Sequence, residues 1–191
     1  MISGAVRDEL IARYSEPHRR YHTMTHIEDC LAQVAASTDM DDQQRALMDA
    51  AIWFHDAIYD ASRADNEAES AKLAAERLSA AGAEQPFINE VSRLILLTAG
   101  HSVQADDVIG DGLVSIDLSI LGAEADRYDA YAADIRHEYA HVPEPLYKAG
   151  RAAILGRFLE GGRLFADPVW AERLEAQARA NLTREIAALT A

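Results

Sequence analysis

The sequence predicts an all-α protein, and three observations carry that prediction. Glycine and proline supply only 10 and 5 of the 191 residues, so few positions interrupt helices. Ala, Leu, Glu, Arg and Asp dominate the remainder, a composition that favours helix over strand. Apolar residues recur at helical spacing, and no stretch of strict alternation marks a strand.

Turn chemistry sets the elements in order. A first helix over 4–14 stops at Ser15-Glu16-Pro17. Thr25-His26-Ile27-Glu28 has the spacing of a capping box, and Ile27, Leu31 and Val34 continue an apolar stripe, which predicts a helix over 26–37. A helix over 42–59 follows, apolar nearly all round in its latter half, Ala50 to Ile58, and therefore buried on most sides. Helices over 65–81 and 86–99 are separated at Ala81-Gly82, and shorter helical pieces span 106–121 around Gly110-Asp111-Gly112. The last three run over 124–141, 144–160 and 168–189, broken at Val142-Pro143 and Gly161-Gly162. None of these breaks is long enough to separate domains, so residues 1–191 are expected to form one helical domain. A chain of this length buries about 70% of its unfolded surface and needs no disulfide or zinc staple.

Cys30 is the one cysteine, which rules out an internal disulfide and fits a reducing compartment. No apolar run approaches the ~18 residues that span a bilayer, and the first 25 residues lack a secretory h-region, so a cytoplasmic protein with no membrane partner is expected. With 18 Lys+Arg against 32 Asp+Glu, the formal charge of −14 argues against polymeric nucleic acid as a partner. A small anionic substrate stays compatible where a metal or a local arginine cluster reverses the field.

The chemistry-bearing residues are His22 and His26, the pair His55-Asp56, then His101 and Asp117. Each lies on or beside an apolar helical segment. A buried His-Asp pair needs partners, because an unpaired buried carboxylate costs several kcal/mol. Two imidazoles and two carboxylates from separate helices can surround one divalent ion and leave water positions open. A mixed N/O donor set without thiolate suits Mn, Co, Ni, Fe, Zn or Mg.

The ordered pattern His26, His55-Asp56, Asp117 on a helical chain resembles the HD-domain metal-dependent phosphohydrolase superfamily. More narrowly, Tyr14-Ser-Glu-Pro-His-Arg-Arg-Tyr-His22, Trp53-Phe-His-Asp-Ala-Ile-Tyr-Asp60, Asp65-Asn-Glu67 and Glu138-Tyr-Ala-His-Val-Pro143 resemble a small group of predicted HD phosphohydrolases of similar length. The resemblance covers most of the chain. It implies an HD-like helical bundle in which His26, His55, Asp56 and Asp117 bind one metal, and hydrolysis of a small phosphate ester such as a nucleotide. On that reading Asp56 also orients the attacking water, and Asp60 or Glu67 assists the leaving group as an acid. Asp60 would lie one turn beyond Asp56 if the helix continues. His101 is expected to donate to a phosphoryl oxygen or to help hold a second ion. It is the one histidine between Asp56 and Asp117, which favours a mononuclear site. Arg19, Arg20, His22 and Arg151 are the expected substrate-binding residues, guanidinium being suited to bidentate phosphate contact.

Two other functions fit parts of the pattern. An HD fold that keeps its metal but only senses a nucleotide is the first alternative. The second is a zinc protease, because His137-Glu138-Tyr139-Ala140-His141 matches H-E-x-x-H on the helix expected over 124–141. Against the protease, Pro143 stops that helix just after the second histidine, and Glu160 is the one tempting third ligand.

Overall fold

Side-chain caps and tertiary donors fix where the helices begin and end. The structure is a computed structural model that describes residues 2–38 and 40–191. Of the described residues 71% are helical, and no strand occurs among them. The all-α expectation is met. The chain divides into two compact units, residues 1–116 and 117–191.

In the first unit, α1 (Gly4–Tyr14) is capped by Ser3, whose hydroxyl accepts from Val6 N–H. Helix α2 (Met24–Ala36) starts after Thr23, so Thr25 is an exposed residue inside the first turn and the expected Thr25–Glu28 capping box does not form. The capping box occurs instead at α3 (Asp42–Phe54): Asp41 accepts from Gln44 N–H at 2.8 Å, and Gln44 returns a bond to Asp41 N–H at 3.0 Å.

Helix α3 stops five residues before the expected Tyr59. Its continuation would require the carbonyls of Ile52 and Trp53 to accept from Asp56 and Ala57 N–H. Those carbonyls have other partners: His55 Nδ1 lies 2.9 Å from Ile52 O, and the Tyr14 hydroxyl donates to Trp53 O at 3.0 Å. Ala57 N–H bonds one residue short, to Phe54 O, and tightens the last turn. Before that stop, residues 50 to 54 are all buried. Each large side chain among them contributes roughly 1.5–3 kcal/mol of hydrophobic stabilisation.

The loop after α3 is fastened to α4 (Asn66–Ala80) by side chains of that helix. Asn66 and the Asp60 backbone exchange two hydrogen bonds, and Ser70 Oγ accepts from Ile58 N–H at 3.0 Å. Helices α4 and α5 (Gln85–Leu97) form a packed hairpin. Its turn needs positive φ at Gly82, and Ala83 N–H bonds Leu78 O behind it.

Helix α6 (Val108–Asp117) ends on one of the expected metal ligands. Its start is set by Asp107, which accepts from Gly110 N–H at 2.9 Å and is bracketed by Arg93. The second unit opens at Asp117 and runs into a 3-10 turn at Leu118–Gly122. Helices α7 (Ala125–Glu138) and α8 (Glu144–Glu160) follow. Helix α9 (Pro168–Trp170) continues through a π turn at Ala171–Glu175 into α10 (Ala176–Thr190). Buried Asn181 donates to the carbonyls of Leu121 and Ala123, which ties the 3-10 turn to α10.

Gly110 shows how tightly the start of α6 is fitted. A Cβ at this position would overlap the Asp107 carboxylate and the Leu97 side chain, well inside van der Waals contact. Gly110→Ala is expected to displace Asp107 from Arg93 and to lower stability by about 1–3 kcal/mol, the usual cost of overpacking. A thermal or urea unfolding curve checks this, and an unchanged midpoint would show that the junction yields freely.

Candidate metal centre

The end of α3 and the first turn of α2 bring two imidazoles together edge to face, with ring centres 5.3 Å apart and planes at 67°. His26 and His55 are both buried, and their Nε2 atoms lie 3.2 Å apart. His55 Nδ1 lies 2.9 Å from Ile52 O, so a ring that binds a metal through Nε2 would carry its proton on Nδ1 and donate it to that carbonyl. That is the tautomer a metal ligand requires, with the backbone carbonyl as outer partner. Asp56 Oδ2 closes on the pair at 3.0 Å from His55 Nε2 and 3.7 Å from His26 Nε2. Asp117, half-buried at the end of α6, offers a carboxylate oxygen within 4.8 Å of a ring nitrogen of each histidine. His26, His55 and Asp117 thus form a group that could hold a metal ion.

The electrostatics suit a cation. Burial alone would raise the Asp56 pKa, but His55, His22 and His26 outweigh it and hold the carboxyl well below the ordinary range. Asp56 is therefore ionised at neutral pH. The carbonyl end of α3 adds the negative end of a helix dipole beside the same point. Oxygen and imidazole donors in this set, with no thiolate among those three residues, match the intermediate and hard divalent metals named from sequence.

His22 borders the centre. It lies in the loop before α2, half-buried, with its ring stacked 4.1 Å from Tyr59 and edge-on to Tyr21 at 5.1 Å. Tyr21 in turn packs on His26 at 4.9 Å.

Several expected roles change on inspection of the geometry. Arg19 is not a free phosphate fork: its side chain is buried and donates to Glu16 and to the carbonyls of His22, Asp56 and Ala57. Arg151 lies in the second unit, where it makes a two-point ion pair with Glu185 and a bond to the Tyr131 hydroxyl. Arg20 is exposed. Asp60 is not one helical turn beyond Asp56, because α3 has ended. Its exposed carboxylate accepts from the backbone and hydroxyl of Ser62, which keeps its pKa below the usual value and disfavours a proton-donating role. Glu67 is half-buried in the first turn of α4. His101 adopts a left-handed conformation, φ 51°, and its N–H bonds Leu97 O, so its backbone terminates α5.

The H-E-x-x-H motif loses its helical basis. Helix α7 ends at Glu138 and Tyr139 caps it, so His141 falls in the turn beyond and the two imidazoles share no helix face. Glu138 is buried while both histidines are exposed.

Sequence reasoning missed Tyr14 and Tyr59 as parts of the centre and misassigned Arg19. A count of the carbonyls freed at the end of α3 would have called for donors of this kind. Comparison of the chain with protein-family models, curated proteins and solved structures yields no match.

Two outcomes follow. His55→Ala is expected to abolish bound metal while His141→Ala retains it, as read by elemental analysis of purified protein. Retention in the first with loss in the second would transfer the centre to α7. Stripping metal with a chelator should lower the melting temperature, since an ion bound only by the folded state stabilises it by mass action. A melting curve unmoved by verified metal removal would contradict a buried centre.

Proposed function

We propose that the protein is a metal-dependent phosphohydrolase of the HD-domain kind, acting on a small phosphate ester such as a nucleotide. The observation that carries this reading is the convergence of His26, His55, Asp56 and Asp117 from three helix ends. A bound divalent ion supplies an acidified water and neutralises charge on phosphoryl oxygens. The protein's own groups do the remainder. Asp56, kept ionised by the surrounding imidazoles, accepts a hydrogen bond from the attacking water and aims it. His22, stacked on Tyr59 at the half-buried side, offers a ring N–H to a phosphoryl oxygen. Glu67 is the remaining candidate for the assisting acid, given the engagement of Asp60 with Ser62. The acidic surface, −14 overall, repels long polyanions and supports a small substrate.

The protein supplied with Mn²⁺ or Co²⁺ is expected to release phosphate from small esters and to leave polymeric nucleic acid intact. Asp56→Asn should lower the rate by at least about 10²-fold, the scale of a lost general base. A panel of phosphomonoesters, phosphodiesters and pyrophosphates checks this. If none is turned over faster than by Asp56→Asn, hydrolysis is excluded and a metal-holding nucleotide sensor takes its place.

A further inference from the structure

The side chain of Arg19 is fully buried, yet it touches neither of the paired histidines in any bond described above. Nη1 donates to His22 O at 3.1 Å and to Asp56 O at 2.7 Å, and Nη2 donates to Ala57 O at 3.2 Å. Nε is paired with Glu16 at 3.1 Å. The guanidinium also lies over two rings, 5.2 Å from the centre of Tyr14 and 5.4 Å from that of Tyr59. A buried cation is tolerated only when paired and hydrogen-bonded, and this one is both.

These bonds join two segments of the candidate centre. One carries His22, and the other carries Asp56 just past the end of α3. Fixing the carbonyl of Asp56 fixes the peptide plane that joins it to Ala57, and fixing that of Ala57 fixes the next plane, which together restrict the backbone torsions that swing the Asp56 side chain. His22 is restrained twice, through its own carbonyl and through Tyr59, whose ring lies against both the imidazole and the guanidinium. The rigid planar fork is what allows one side chain to address these carbonyls together. A lysine ammonium keeps the charge without that shape.

We propose that Arg19 is a positioning residue: it sets the aim of His22 and Asp56 toward the His26–His55 pair, so that metal affinity depends on a side chain that ligates nothing. The inference rests on the metal-centre reading and adds to it the group that holds the centre in register. Outer partners of this type typically change metal affinity by about 10–100-fold.

The test is a Co²⁺ titration of the full chain, following the dissociation constant and the visible absorption of the bound ion. Three proteins are compared: wild type, Arg19→Lys, and Arg184→Lys, which disturbs the ion pair of Arg184 with Asp129 within the second unit. Arg19→Lys is expected to bind about 10–100-fold more weakly with an altered spectrum, and Arg184→Lys to keep both wild-type values. Arg19→Gln, which removes the buried charge but retains a donor, carries the same expectation where the lysine variant does not fold. Wild-type affinity and spectrum in either Arg19 variant would overturn the proposal, as would equal weakening by Arg184→Lys. A wild type that binds no Co²⁺ overturns the metal centre and this inference together. Binding by wild type with no difference in the Arg19 variants overturns this inference alone.

Discussion

The structure of the candidate centre depends on how α3 ends. A helix that stops in the interior exposes carbonyls that must find donors, and an apolar surround offers none by default. Here the donors are the ring of His55, the hydroxyl of Tyr14 and the guanidinium of Arg19. The need to satisfy those carbonyls and the need to orient a ligand are met by the same hydrogen bond at His55. Once Nδ1 is committed to Ile52 O, Nε2 is left facing His26 and Asp56.

The rest of the first unit supports that stop. Helix α4 fastens the loop beyond it through Asn66 and Ser70, and the Arg93–Asp107 bracket sets the start of α6. In the second unit the polar interior is organised differently. Arg151 and Glu185 share the buried space with Tyr128 and Tyr131, and burial together with the Glu185 charge pushes the Tyr128 hydroxyl well above its usual pKa. Tyr128 therefore remains protonated and donates to Glu185.

Much of this was legible in the sequence. The helical class and the order of the elements follow from composition and apolar spacing, because both act locally along the chain. The candidate ligands His26, His55 and Asp117 were legible as polar residues inside apolar segments, where burial demands a partner. What periodicity could not show was any boundary set by a tertiary donor. The stop at Phe54 arises from Tyr14 and His55 binding carbonyls, and the failed capping box at Thr25 reflects a start two residues earlier. The same blindness made Arg19 look like a surface arginine near the site. Its spacing carries no sign of the carbonyls it meets from thirty-seven residues away. The left-handed backbone of His101, which closes α5, likewise leaves no sign in the spacing of the sequence.

The contact of Arg19 with the rings of Tyr14 and Tyr59 has a consequence for the order in which the protein assembles. Tyr14 closes α1, and its hydroxyl reaches the end of α3 across thirty-nine residues of sequence. The N-terminal helix is thus a structural member of the centre, although it supplies no ligand. Any opening that lifts α1 away would free the carbonyl of Trp53 and uncover one face of the guanidinium, loosening the His-Asp turn before the core of α4 and α5 is disturbed. Release of an ion and detachment of α1 would then be one cooperative event, so that amide protection in α1 reports the integrity of a site it does not touch.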